Sequence, residues 1–151
     1  MAKRKASISM IIINYPKHPF RFKEEDSKEF IFDEIRKQWL RLTPEEWVRQ
    51  NFLQYLIQIK QYPTTLIAIE KEIKLGELKR RCDIVIYKAE KPWMIIECKE
   101  MGVAVNQAVA SQIFNYNQVL EAEYLIITNG NETFGLKTAS KEQITDIPAY
   151  H

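Results

Sequence analysis

Glycine is scarce in this chain. Only four stand among 151 residues, at Gly76, Gly102, Gly130 and Gly135. Their spacing builds neither a phosphate-cradling P-loop nor a dinucleotide-binding Gly-x-Gly-x-x-Gly turn. A Gly-x-Ser-x-Gly elbow is also missing. These absences remove the usual NTPase, Rossmann and serine-hydrolase machinery, and this chain holds no ATP site. Cysteine (Cys82, Cys98) and histidine (His18, His151) occur twice each. That is too few for a disulfide framework, and the histidines lie too near the termini for a Cys/His zinc site. No apolar run approaches the roughly 18–20 residues that span a bilayer. The start, "MAKRKASISMIII", lacks the apolar stretch and small-residue cleavage site of a secretory signal. The expectation is a protein of the reducing cytoplasm with no membrane association.

What is present reads as one globular unit. The chain is 46% hydrophobic and 28% charged, ordinary for a folded domain of this length. The net charge of +2 argues neither for nor against a nucleic-acid partner. Basic residues cluster at "KRK" (3–5) and "LKRR" (78–81), the second just before Asp83. Such a cluster is either a solvated start of a strand or a phosphate-facing patch.

Residues 1–19 read as an irregular segment, with "YPKHP" resisting regular structure, and 20–151 as a single domain. "FRFKEEDSKEFIF" alternates on both sides of a polar turn, as a hairpin does. "LTPEEWVRQNFLQYLIQIKQ" is the clearest helix. Thr43 suits its N-cap, Pro44 its first position and Glu46 the capping-box partner. Trp47, Gln50, Asn51, Tyr55, Leu56 and Ile57 recur at helical spacing, and "YP" at 62–63 ends the pattern. "TTLIAIEKEIKL" (64–75) alternates as a strand, with Gly76 at its turn. "RCDIVIY" and "WMIIECK" are two more strands. "NQAVASQIFNYNQVLEA" (106–122) is a second helix, "YLIITNG" a buried strand and "ETFGLKT" an edge strand. The order hairpin–α–β–β–β–α–β–β gives an α/β fold, a mixed sheet flanked by helices with an N-terminal β-hairpin extension.

"DIVIYKAEKPWMIIECKE" carries the chemistry. With "RCDIVIY" and "WMIIECK" paired antiparallel around a five-residue loop (88–92), Tyr87 faces Trp93 and partner numbers sum to 180. Asp83 then opposes Glu97 on one face, with Lys99 two residues further on. Two adjacent carboxylates raise each other's pKa unless a cation intervenes. An oxygen-only site of this kind suits Mg²⁺ or Mn²⁺, and such a metal polarises phosphoryl oxygens and helps ionise water. The competing reading is a cross-strand ion pair with a structural role. The same register pairs Cys82 with Cys98 on the opposite face as small core residues. Glu70, on the preceding strand, is a metal-site helper or, preferably, an exposed strand residue.

Asp83 followed by Glu97-Cys98-Lys99 resembles the PD-(D/E)XK nuclease motif, with Cys82 standing where many members have proline. "LTPEEWVRQNFLQYLI", "YPTTLIAIEKEIKL", "RRCDIVIY", "PWMIIECKE", "QIFNYN" and "YLIITNG" together resemble the N-terminal nuclease domain of type I restriction enzyme R subunits, in a stand-alone form. The likeness runs from about residue 20 to 138. It implies a restriction-endonuclease-like core and a Mg²⁺- or Mn²⁺-dependent DNA endonuclease of restriction or defence. Asp83 and Glu97 would bind metal, with the Cys98 carbonyl as a further ligand, and Lys99 would be the catalytic lysine. Glu46 would complete the metal site through water, unless the capping box is its whole role. Gln112 and Tyr116 match a Gln-x-x-x-Tyr motif that contacts DNA near the site; the bland alternative is a polar edge on a packed helix. Lys79, Arg80 and Arg81 would hold the phosphate backbone. Without a motor domain, target choice would fall to a homodimer, a partner protein or a DNA structure. A non-catalytic nucleic-acid-binding or assembly module that keeps the fold is the alternative function, and a purely structural domain the third.

Overall fold

A computed structural model describes residues 9–117 and 121–151, leaving out the side chains of Leu75, Leu78 and 114–117. The basic cluster 3–5 lies outside the described residues. Among the described residues, two sheets and two α-helices make an α/β fold. Strands β1 (Phe22–Glu25), β2 (Lys28–Asp33) and β3 (Gln38–Arg41) form a three-stranded antiparallel sheet. The hairpin expected from the sequence is therefore present, with a third short strand, "QWLR", added to it. Helix α1 (Pro44–Gln58) follows. Then come β4 (Ile67–Leu75), β5 (Leu78–Lys88), β6 (Lys91–Cys98), α2 (Gln107–Asn117), β7 (Tyr124–Thr128) and β8 (Thr133–Lys137). These five strands form one sheet in the order β4-β5-β6-β7-β8. It is mixed, because α2 carries the chain from β6 to a parallel β7 while the other pairs are antiparallel.

The α1 start follows its sequence signal. The Thr43 hydroxyl accepts from the Glu46 N–H at 3.1 Å, and Pro44 opens the helix. The buried face differs in part from the sequence reading. Trp47 is 36% exposed, while Tyr55 and Leu56 are buried as expected, and the face turned to the sheet is Val48, Phe52, Leu53 and Leu56. Those four pack with Ile84, Ile86, Met94, Ile96 and Cys98 on one face of the five-stranded sheet. Val85, Ile95, Leu125, Ile127 and Ala110 of α2 form a second core on the other face. Alternation along β5 and β6 thus feeds two hydrophobic layers, as a sheet covered on both faces requires. Residues 9–19 carry no helix or strand, yet Ile11 is buried and its N–H donates to the Thr133 carbonyl.

The β5–β6 hairpin corrects two expectations. Its turn is the two residues Ala89 and Glu90, both at positive φ (51° and 64°), where a five-residue loop was expected. Tyr87 consequently pairs with Pro92, not Trp93. A register shift between Ile86 and Tyr87 absorbs the difference, and Ile84↔Ile96, Val85↔Ile95 and Ile86↔Met94 keep the expected register. The cysteines are also placed differently. Both are buried, but Cys82 joins one core and Cys98 the other. The cause is a local break in alternation. Glu70 sits at φ 52°, and the β4–β5 ladder passes from Ile69↔Ile84 to Lys71↔Cys82 without a Glu70–Asp83 rung.

Candidate active site at the shared end of β5 and β6

Asp83 lies one residue beyond the last rung of the β5–β6 ladder. Its Oδ2 accepts from the Cys98 N–H at 2.8 Å, which sets the carboxylate against the backbone between Glu97 and Lys99. Its Oδ1 accepts from Arg49 Nη2 at 3.1 Å. Glu97 Oε2 accepts from Arg80 Nη2 at 3.2 Å. The Lys99 main chain is pinned by its N–H to the Thr128 carbonyl at 2.8 Å. Its side chain is half-buried and makes no ion pair within 4 Å among the described residues. Burial, then the Asp83 charge, push the Glu97 carboxyl up to about 6, against the pull of Arg80 and Lys99. Two carboxylates, each with one arginine partner, therefore interact at one sheet end, with an ammonium in electrostatic reach.

Arg49 is the residue that the sequence reading passed over. Its side chain is 5% exposed on α1, and it faces four carboxylates: Glu46 (2.6 Å), Asp83 (3.1 Å), Glu45 (3.2 Å) and Glu70 (3.4 Å). Its spacing from Glu45 and Glu46, four and three residues, was the available signal. Glu46 is buried and engaged, with Arg49 Nη1 at 2.6 Å and Gln50 Nε2 at 3.2 Å donating to it. Its carboxylate thus belongs to a buried charge network and does not stand free. Glu45 is the α1 acid that feels the site: burial, then Asp83, raise its pKa, while Arg49 and Lys99 pull it down.

Glu70 is not an exposed strand residue. Arg36 (2.8 Å), Arg81 (3.0 Å) and Arg49 all reach it. Burial opposes its ionisation, but these guanidiniums hold its carboxyl below the usual range. Arg36 also bonds the fully buried Asp33 at 2.7 Å, and Gln50 donates to Asp33 at 2.9 Å. A continuous polar network therefore joins the three-stranded sheet to α1, β4 and Asp83.

The basic cluster forms the first four residues of β5, and its exposed Lys79 and Arg81 fit the solvated strand start. Arg80 points in to Glu97, Arg81 lies along Glu70, and Lys79 is exposed. Gln112 is exposed on α2. Tyr116 lies on the same helix, with its side chain outside the described residues.

Among the described residues, no group of three or more His, Cys, Asp and Glu side chains is arranged to hold a metal. A Mg²⁺-class cation needs less, since one or two carboxylates suffice when waters and substrate phosphate complete the shell. The Asp83–Glu97 pair fits that requirement, and its mutual repulsion is the strain that such a cation relieves.

The model of the type I restriction enzyme R protein N terminus matches residues 44–149, more than two thirds of the chain. The chain belongs to that family. A solved fragment of a putative HsdR subunit of a type I restriction enzyme from Vibrio vulnificus YJ016 is similar at 20% identity and a TM-score of 0.42. The likeness covers 55% of this chain and 19% of that one, so this chain spans about a fifth of that fragment's length. No curated protein matches the chain. No helix among the described residues is long and apolar enough to cross a membrane.

Proposed function

We propose that this member of the R-protein N-terminal family is a metal-dependent DNA endonuclease of the PD-(D/E)XK type, serving restriction or a related defence. The observation that carries the reading is the meeting of Asp83, Glu97 and Lys99 at one end of β5 and β6. Asp83 and Glu97 would hold a Mg²⁺ or Mn²⁺ ion, with the Cys98 carbonyl as a further ligand. When bound, the ion would polarise a phosphoryl oxygen and favour ionisation of a water. Lys99 would place its ammonium beside the phosphate and stabilise the charge that builds there. In-line attack of water on phosphorus would break the P–O3′ bond, giving a 5′-phosphate and a 3′-hydroxyl. Lys79 and Arg81, both exposed, and Gln112 would meet the DNA backbone. A homodimer or a partner protein would supply target choice.

A non-catalytic assembly module is the second reading. It is favoured by one observation: Arg49 and Arg80 already neutralise one oxygen each of Asp83 and Glu97. Plasmid nicking with Mg²⁺ or Mn²⁺, against EDTA and beside Lys99→Ala, separates the two. Metal-dependent nicking that disappears in Lys99→Ala supports the nuclease. Absence of nicking together with absence of Mn²⁺ binding by calorimetry supports the module.

A further inference from the structure

The three-stranded sheet has a solvent face that the proposed reaction does not use. Its back face buries Ile31 and Asp33. Its front face carries Phe30, Phe32 and Trp39, each only half-buried. The ladder sets Phe32 opposite Trp39, and Phe30 between Lys23 and Arg41. The cations lie over the rings. The Arg21 guanidinium is 4.5 Å from the Phe32 centroid and 5.5 Å from that of Trp39. Lys23 Nζ is 4.8 Å from Trp39, and the Arg41 guanidinium is 5.9 Å from Phe30. Glu25 is the strand carboxylate sharing this face, and it is paired with Lys23.

Three half-buried aromatics share this sheet face, and cations lie over their rings in place of an apolar layer. Aromatics interleaved with cations suit a ligand that alternates negative charge with flat π surfaces. A nucleic-acid strand has that chemistry: its phosphates meet the cations and its bases stack on rings and guanidiniums. A duplex hides its base faces in its own stack, so only an unpaired strand presents them to a sheet. All the residues involved precede residue 44, outside the family match. We infer that the β1–β2–β3 face binds single-stranded nucleic acid through Trp39, Phe30 and Phe32, with Arg21, Lys23 and Arg41 on the phosphates.

The test is fluorescence anisotropy of a labelled oligodeoxythymidylate at low salt, with tryptophan quenching as a second signal. EDTA is present throughout, so cleavage plays no part and failure of the nuclease reading leaves the outcome unchanged. Stacking worth about 1–3 kcal/mol per base predicts roughly tenfold weaker binding for Trp39→Ala, with the quenching lost. Arg21→Glu with Arg41→Glu should weaken binding further and flatten its salt dependence. With three cations engaged, the wild-type slope of log affinity against log salt should be about −2. Should Trp39→Ala fail to fold by circular dichroism, the charge-reversal pair, whose side chains are both exposed, decides. Binding unchanged by either variant overturns the inference. So does a duplex of equal length bound as tightly as the single strand, or polyglutamate quenching as strongly as the oligonucleotide.

Discussion

The Asp83 carboxylate takes the Cys98 N–H at 2.8 Å, so a side chain of β5 stands in for the ladder bond that would come next along β6. The acid is thereby fixed to the main chain that also orients Glu97 and Lys99. A small movement of either strand moves all three groups together. This is the rigid placement on regular elements that the proposed hydrolysis would require.

Lys99 lies at that junction without a 4 Å ion-pair partner among the described residues. Lys99→Met should therefore change stability by no more than about 0.5 kcal/mol. Metal-dependent nicking should fall to background. A large loss of urea stability would instead assign the lysine a structural role.

Glu97 titrates in the metal-free protein near pH 6, above its ordinary 4.5, because burial and Asp83 disfavour its charge. Between those values the folded state holds more protons than the unfolded one. Its contribution to stability is therefore full below about pH 4.5 and is lost as pH rises through 6. The loss is about 2 kcal/mol at 1.36 kcal/mol per unit. In EDTA, Glu97→Gln should gain on the wild type by up to that amount between pH 4.5 and 7.5 in urea titrations. An equal pH slope for both proteins would refute it. Saturating Mn²⁺ should remove the wild-type slope.

Arg49 balances four carboxylates while almost wholly buried. Its removal would take the nearest cation from Glu46 and Asp83, leaving Glu46 with Gln50 and the more distant Arg36 and leaving Asp83 with the Cys98 N–H. Arg49→Leu should lose about 3–5 kcal/mol, measured by denaturant unfolding. Arg49→Lys should recover only part, because one ammonium cannot reproduce the planar fork.

Arg36 links the three-stranded sheet to the site by holding Asp33 and Glu70 together. Arg36→Ala should destabilise the protein by about 2–4 kcal/mol. Asp33→Asn should reduce the effect of that substitution. A double-mutant cycle with a coupling below about 0.5 kcal/mol would show that the two residues act independently.

Strands β4 to β7 were legible in the sequence because each carries an Ile- or Val-rich run bounded by turn residues. The α1 start was legible because Thr-Pro-Glu-Glu satisfies several cap rules at once. The β5–β6 register as far as the Ile84–Ile96 rung was legible for a subtler reason, whereas the expected Asp83–Glu97 pairing is not a rung of the ladder. The turn was misread, since Ala89-Glu90 is not a sequence that announces two left-handed residues. The shift at Ile86/Tyr87 offset the error, leaving the Ile84–Ile96 rung as expected. The placement of Cys82 and Glu70 was not legible. Both depend on a left-handed Glu70, a backbone state that side-chain patterns do not signal. Arg49 was hidden for another reason: a charged residue on an amphipathic helix reads as solvated until four acids, two from its own helix turn and one each from β4 and β5, are seen around it. β3 was too short, and too mixed in polarity, to stand out.

The left wall of the charge network is supplied by Asp33 and Arg36, which precede the family match at residue 44. A fragment trimmed to that match would keep Asp83, Glu97 and Lys99 yet lose the Asp33 partner of Gln50 and the Arg36 partner of Glu70. The smallest portable unit of this fold accordingly includes Asp33 and Arg36, and grafting it onto another protein means carrying the three-stranded sheet along.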